Sequence, residues 1–334
     1  MGYAIDPLVL EADATYRNIV IGDASIVTPE NHMKWGLVHP GVDAYDFDRA
    51  DEIVAFAQAN GQEVRGHVLV WHSQLPSWIT DAAWTRDELI EVMRDHIHTV
   101  VGHFHKQFPG VVTQWDVVNE AFNPDGSRRD TIFQQVIGDD YIELAFRFAR
   151  EADPDVELFY NDFFDHTAVT LEAAALGLPA GPGANGDRTA CAEVPRCVAT
   201  RLLAESLLDA KAPIDGIGFQ AHIWSNDPPD YSEFAGWTAD LGLEWAITEL
   251  DIALPANGVT DAMLLAQRAA FTKVIGACLT SPNCDTTVLW GVSDDNSWIP
   301  GFTGGLLDHG LLYGPDYGPK HALVDVWVLL RDSA

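Results

Sequence analysis

Residues 111–120 read Val111-Val112-Thr113-Gln114-Trp115-Asp116-Val117-Val118-Asn119-Glu120. An apolar run that stops abruptly at polar residues is how a buried parallel strand presents functional groups at its C-terminal end. The same design recurs along the chain. Strands are expected at Gly2–Asp6, Gly22–Val27, Glu63–Trp71, Val111–Asn119, Val156–Asn161, Asp215–Ala221, Leu243–Leu250 and Thr286–Val292. Amphipathic helical patterns separate most of them, at Asp48–Asn60, Thr85–Gln107, Ile137–Ala152, Cys197–Lys211 and Thr260–Leu279. Eight strands alternating with helices predict an α/β fold, a single (β/α)8 TIM barrel spanning residues 1–334. An open doubly wound sheet is the alternative. No Gly-x-Gly-x-x-Gly follows the first strand, which disfavours a dinucleotide site.

Composition narrows the function classes. The chain has 334 residues, of which 47% are hydrophobic, enough for a large core rather than disorder. No continuous apolar run approaches the roughly 18 residues of a membrane span, so no membrane partner is expected. Fifty acidic residues against 19 basic ones give a net charge of −31, which repels nucleic-acid phosphates and anionic lipid. The acid is spread along the chain and reads as a solvated surface.

The four cysteines form two C-x5-C pairs, Cys191/Cys197 and Cys278/Cys284. Metal sites favour two to four intervening residues, so two small loop-closing disulfides fit better, with free thiols as the alternative. Disulfides imply an oxidising compartment and a secreted, extracellular protein. Met-Gly-Tyr-Ala-Ile-Asp reads directly as a strand, so the expected signal peptide is absent from this sequence. His96, His98, His103 and His105 share one predicted helix without a carboxylate triad, which reads as a solvated face and not a metal site. No metal and no cofactor is expected.

Polar residues gather at the strand ends. The third ends in His67, Trp71, His72 and Gln74, the fourth in Asp116, Asn119 and Glu120, and the fifth in Tyr160, Asn161 and Asp162. The sixth ends in Gln220 and His222, the seventh in Glu249 and Asp251, and the eighth leads to Trp290, Asp294 and Trp298. In a barrel these ends meet at one mouth, and burying so many polar groups costs stability without a functional return. Glu120 and Glu249 stand on nearly opposite strands. Two carboxylates facing across a cleft can split a glycosidic bond, one protonating the leaving oxygen and the other attacking the anomeric carbon or activating water. Trp35, Trp71, Trp78, Trp290 and Trp298 lie beside polar residues, and flat indole faces stack on pyranose rings while Glu30, Asn31, Lys34 and Gln74 bind hydroxyls.

These residues resemble glycoside hydrolase family 10, the endo-β-1,4-xylanases. Seven blocks in the family's order carry the resemblance over nearly the whole chain: Thr28–Trp35, Gly66–Pro76, Trp115–Ala121, Tyr160–Asp162, Gly218–His222, Ile247–Asp251 and Trp290–Asp294. It implies a retaining endo-β-1,4-xylanase acting on xylan and xylo-oligosaccharides as a monomer, by double displacement through a covalent glycosyl-enzyme. Glu120 would be the acid/base and Glu249 the nucleophile. Asn119 would hold the 2-hydroxyl, and His222, oriented by Asp251, would keep Glu249 ionised. Asp116 and His67 would sit near Glu120 and help set its proton affinity. Glu30, Asn31, Lys34, Gln74 and Trp298 would bind the glycone, Trp71, Gln220 and Trp290 would wall the cleavage subsite, and Tyr160 and Asn161 the aglycone side. Cys278–Cys284 matches a disulfide common in the family.

Two departures stand out. The stretch at about 163–195, after the fifth strand, is longer than usual and holds the Cys191/Cys197 pair, so it bears on aglycone preference. Leu311-Leu312-Tyr313-Gly314-Pro315-Asp316 replaces the commoner Leu-Leu-Phe-Asp and is expected to alter a turn. The competing readings are an endo-glucanase or mixed xylanase/glucanase, and a non-catalytic polysaccharide-binding barrel; intact Glu120 and Glu249 disfavour the last.

Overall fold

The computed structural model describes residues 1–163, 191–224 and 228–333. Eight parallel strands build the barrel: β1 (Gly2–Ile5), β2 (Ile26–Pro29), β3 (Glu63–Val70), β4 (Val112–Asn119), β5 (Glu157–Asp162), β6 (Gly216–Phe219), β7 (Glu244–Ile252) and β8 (Cys284–Leu289). Each pairs with the next, and β8 returns to β1 through Gly2↔Val288 and Tyr3↔Leu289, which closes the ring. The fold is a (β/α)8 barrel. Its longer helices are α1 (Ala14–Asp23), α2 (Asp48–Ala59), α3 (Arg86–Gln107), α4 (Tyr141–Ala152), α5 (Pro195–Asp209), α6 (Asp261–Thr280) and α7 (His321–Ser333). Between β6 and β7 two single turns, Tyr231–Phe234 and Trp237–Asp240, replace a full helix.

Local chemistry sets these boundaries. Thr85 and Glu88 form a reciprocal capping box at the start of α3, which accounts for the 22-residue length of that helix being so sharply begun. The second strand starts later than expected, because Gly22 and Asp23 complete the last turn of α1 and Ala24 caps it onto Val20. Gly138, at φ +94°, separates a short turn from α4, so that helix begins at Tyr141 and not at Ile137. The eighth strand spans Cys284–Leu289, leaving Trp290 beyond its end. Chain entry is at the foot of the barrel, where Ser25 N donates to the Met1 carbonyl at 3.0 Å.

The interior is packed and its charges are paired. A Cβ on Gly66 would fall 2.3 Å from the Trp115 ring, so only glycine lets that indole lie across the barrel. Arg65 is fully buried, yet its guanidinium donates to Asp116 and, at 2.8 Å, to Gln114, and it lies over the Phe159 ring.

Several expectations change. Helix α6 is long and apolar enough to cross a bilayer by length and composition, although polar residues interrupt its apolar run. Here one face of it packs on the barrel: Phe271, Val274, Ile275 and Cys278 are buried, and the Gln267 amide donates to the Ile252 and His309 carbonyls, both at 2.6 Å. The α3 histidines do not form one solvated face. His96 is fully buried and stacks on Trp35 with ring centroids 3.6 Å apart, whereas His98, His103 and His105 pair outside with Glu151, Asp51 and Asp153. Tyr313 does more than alter a turn, since its hydroxyl donates to Asp23 at 2.6 Å and ties the C-terminal segment to the end of α1. Both disulfides are formed, Cys191–Cys197 and Cys278–Cys284. Most of the long stretch expected at 163–195 lies outside the described residues.

Candidate active site

The C-terminal ends of the strands surround a cleft of about 410 Å³ lined by Glu30, Asn31, Lys34, His67, Trp71, Gln74, Asn119, Glu120, Gln220, His222, Glu249, Trp290 and Trp298. Among the described residues no cluster of His, Cys, Asp or Glu could hold a metal ion.

Glu249 lies within the buried length of β7, and donors occupy both its oxygens. Asn161 Nδ2 donates to Oε1 at 2.7 Å, and His222 Nε2 donates to Oε2 at 3.2 Å. Asn161 is itself fixed, because the Thr248 hydroxyl donates to its Oδ1 at 2.7 Å. A Cβ on Gly218 would fall 2.2 Å from that same oxygen, so the glycine of β6 makes room for the arrangement. Burial works to raise the Glu249 pKa, but the His222 hydrogen bond and the charges of His67 and His222 outweigh it, and the net shift is downward. Asp116 opposes that shift.

His222 supplies its other ring N–H to Asp251 Oδ2 at 2.8 Å. Burial alone would lower its pKa. The Asp251 and Glu249 carboxylates overcome that and raise it to about 10, so the imidazolium persists at neutral pH. The Trp298 indole N–H donates to the same Asp251 oxygen at 2.8 Å, which ties the cleft wall to this ion chain. We therefore expect Asp251→Asn, which keeps the shape and removes the charge, to weaken His222 as a cation and raise the Glu249 pKa. The acidic limb of kcat/KM should move to higher pH by about one unit. A limb that stays in place would disprove the link.

Glu120 is built differently. It follows β4 with φ +55°, a left-handed conformation uncommon for a side-chain-bearing residue, and its N–H donates to the Asn161 carbonyl at 2.9 Å. Gln220 Nε2 donates to its Oε1 at 3.0 Å, and His72 Nδ1 stands 3.8 Å from its Oε2. Its side chain is 13% exposed against 6% for Glu249, so it is the carboxyl that opens toward solvent. Burial lowers the His72 pKa; the Glu120 charge pulls it back up, while Arg129 and Arg196 add to the lowering.

Opposite lies the sugar-binding set expected on the glycone side. Lys34 Nζ donates to Asn31 Oδ1 at 3.1 Å and stands 5.0 Å above the Trp71 ring. Burial lowers the Lys34 pKa, against the pull of Glu249, Glu30 and Glu120. Burial likewise raises that of Glu30, against the pull of Lys34. The Asn119 amide, oriented to satisfy its neighbours, accepts from the Trp71 indole at 3.2 Å and donates to the Asn161 carbonyl at 3.0 Å.

Three placements differ from expectation. Tyr160 and Asn161 are fully buried and wall nothing: Tyr160 donates to Asp162 at 2.6 Å, and Asn161 serves Glu249. His67 and Asp116 form a pair, Nδ1 to Oδ2 at 2.9 Å, whose charges act on Glu249 across the barrel floor. Trp35 and Trp78 pack behind the cleft, Trp78 donating to the His39 carbonyl. His72, expected at the mouth, lines the cleft without having been given a role, and Arg129, Phe163 and Phe302 join it there. His72 was visible in the Trp71-His72 block; Arg129 sits in an irregular loop and Phe302 ends the single helical turn Ile299–Phe302, neither with a pattern to mark it.

Comparison with known proteins agrees with this geometry. The sequence profile described as glycosyl hydrolase family 10 matches residues 1–175 and 193–328. Endo-1,4-beta-xylanase B of Thermotoga neapolitana is 35% identical over 324 residues, covering 95% of this chain and 84% of that protein. The crystal structure of xylanase 10B from Thermotoga petrophila RKU-1 in complex with xylobiose superposes with TM-score 0.86 at 36% identity, covering 99% of this chain and 93% of that one. An intracellular xylanase from Thermoanaerobacterium saccharolyticum, a mutant in complex with xylotetraose, gives TM-score 0.82 at 30% identity over 97% and 94% of the two chains. With the profile covering most of the sequence and the barrel matching end to end, this chain belongs to glycosyl hydrolase family 10.

Proposed function

We propose that the protein is a retaining endo-β-1,4-xylanase that cleaves internal bonds of xylan by double displacement. The observation that carries the reading is the contrast between the two carboxylates. Glu249 has a donor on each oxygen and a lowered pKa, which suits a nucleophile that must be ionised. Glu120 is the more exposed of the two, which suits a group that must exchange protons with leaving oxygen and water. Glu249 attacks the anomeric carbon while Glu120 protonates the departing oxygen; Glu120 then takes a proton from water, which displaces Glu249. Asn119 holds the 2-hydroxyl of the attacked sugar. The Glu30–Asn31–Lys34–Gln74 group binds the glycone. A retaining pair places its carboxyl groups about 5–5.5 Å apart.

Similarity to xylanases seen with xylobiose and xylotetraose supports xylo-oligosaccharides as ligands. The protein acts as a monomer outside the cell, a location supported by its two disulfides. Purified xylan should release reducing sugar at least about tenfold faster than carboxymethylcellulose does, the usual scale of discrimination when a pocket lacks room for one substituent. Equal rates on both polymers would make it a mixed glucanase.

A further inference from the structure

Behind Glu120 lies a second set of buried polar groups that the mechanism above does not use. Asp162 ends β5 and is fully buried. Its Oδ2 accepts from the Tyr160 hydroxyl at 2.6 Å, and that same hydroxyl accepts from Ala121 N at 2.9 Å. The peptide immediately after the left-handed Glu120 is thus held by Tyr160 and Asp162. The one guanidinium near this carboxylate among the described contacts is that of Arg196, 3.8 Å from Asp162 Oδ1 and 3% exposed. Arg196 also donates to the Phe163 carbonyl at 2.9 Å and lies 3.8 Å under the Phe163 ring. Phe163 lines the cleft. Burial pushes the Asp162 pKa up to about 7, with Arg196 pulling it down and the Glu120 charge pushing it up.

The position of Arg196 is fixed from its own side. It is the second residue of α5, between Pro195 and Cys197, and the Cys191–Cys197 bridge clamps the turn Cys191–Glu193 onto the start of that helix. The loop after Glu120 rests on the same helix end: a Cβ on Gly126 would fall 2.8 Å from the Pro195 carbonyl oxygen.

We propose that Arg196 is a positioning residue for the leaving-group half of the cleft, and that the Cys191–Cys197 disulfide exists to hold it there. By pairing with Asp162 it keeps the Tyr160–Ala121 contact that sets the backbone of Glu120. By lying under Phe163 it holds the wall facing the aglycone. Both effects concern departure of the leaving sugar. Neither touches Glu249 or the glycone contacts, so the proposal deepens the xylanase reading and rests on it.

The test compares two substrates. Xylopentaose fills the aglycone side and needs the acid; 2,4-dinitrophenyl β-xylobioside barely fills it and leaves without protonation. Arg196→Met should lower kcat/KM on xylopentaose by about 10- to 100-fold, the scale of a side chain displaced by about 1 Å, and on the aryl xylobioside by less than about threefold. Arg196→Lys, which restores the charge, should recover most of the loss. The double variant Cys191→Ser/Cys197→Ser should reproduce the split more weakly. Melting curves identify the folded proteins, and if Arg196→Met does not fold, the lysine and serine variants carry the comparison. Equal losses on the two substrates in folded protein would overturn the proposal, as would a lysine variant no better than methionine or a serine pair with the wild-type ratio. A wild-type enzyme inactive on xylan but active on another β-1,4-glycan fails the functional reading instead, and the ratio is then measured with that oligosaccharide.

Discussion

Glu249→Ala should abolish turnover on every substrate, natural or activated, by more than about 10⁴-fold in kcat, the scale seen when a nucleophile is removed from a concerted machinery. The reason lies in how fully the site is built around this one carboxylate. Asn161, His222 and, through His222, Asp251 and Trp298 all converge on it. Removing the carboxylate leaves those donors aimed at an empty volume, where a small anion can stand. Azide added to the variant should restore cleavage of an aryl xylobioside and yield the α-glycosyl azide, formed by one direct displacement. Residual wild-type-like activity, or a β-azide from this variant, would show that the nucleophile is another group.

Glu120→Ala should separate the two chemical steps. Xylan hydrolysis should fall by about 10²- to 10⁴-fold, the usual contribution of a positioned acid/base. The first step on a dinitrophenyl xylobioside should survive, because that leaving group departs without a proton. A burst of dinitrophenol followed by a slow steady state is the expected trace. Azide should then accelerate the second step and give the β-glycosyl azide, since it displaces Glu249 from the face opposite the ester. Recovery of the α-azide from Glu120→Ala would indicate inversion and overturn the retaining assignment.

How much of this could be read from the amino acids depends on what each residue touches. The barrel was legible because eight apolar runs each stop at polar residues, a pattern that covalent neighbours alone display. The boundaries were less so: whether Gly22 belongs to a strand or to the last turn of α1 is decided by the cap at Ala24, a contact along the backbone that side-chain alternation does not report. Glu120, Glu249, His222 and Asp251 were legible as a set because their strand ends must converge. Tyr160 and Asn161 were misplaced for a physical reason. They lie on β5, where Tyr160 turns its hydroxyl to Asp162 of the same strand and to the Ala121 N–H, while Asn161 meets Glu249 through the placing of strands far apart in sequence. The next residue, Phe163, is the one that reaches the cleft. Likewise His67 and Asp116 act on Glu249 because they lie across the barrel floor from β7, a relation that no spacing along the chain encodes.

The entry of the chain at the foot of the barrel has a practical meaning. β1 begins at Gly2, and a Cβ there would fall 2.1 Å from the Ile26 carbonyl oxygen, so the first peptide is wedged against β2 with no slack. Anything covalently joined ahead of it must leave by the face opposite the catalytic mouth. Attached to a bead or an electrode through that end, the protein would stand with its cleft turned toward the liquid. A long, stiff polymer could then thread past the reactive groups without meeting the support.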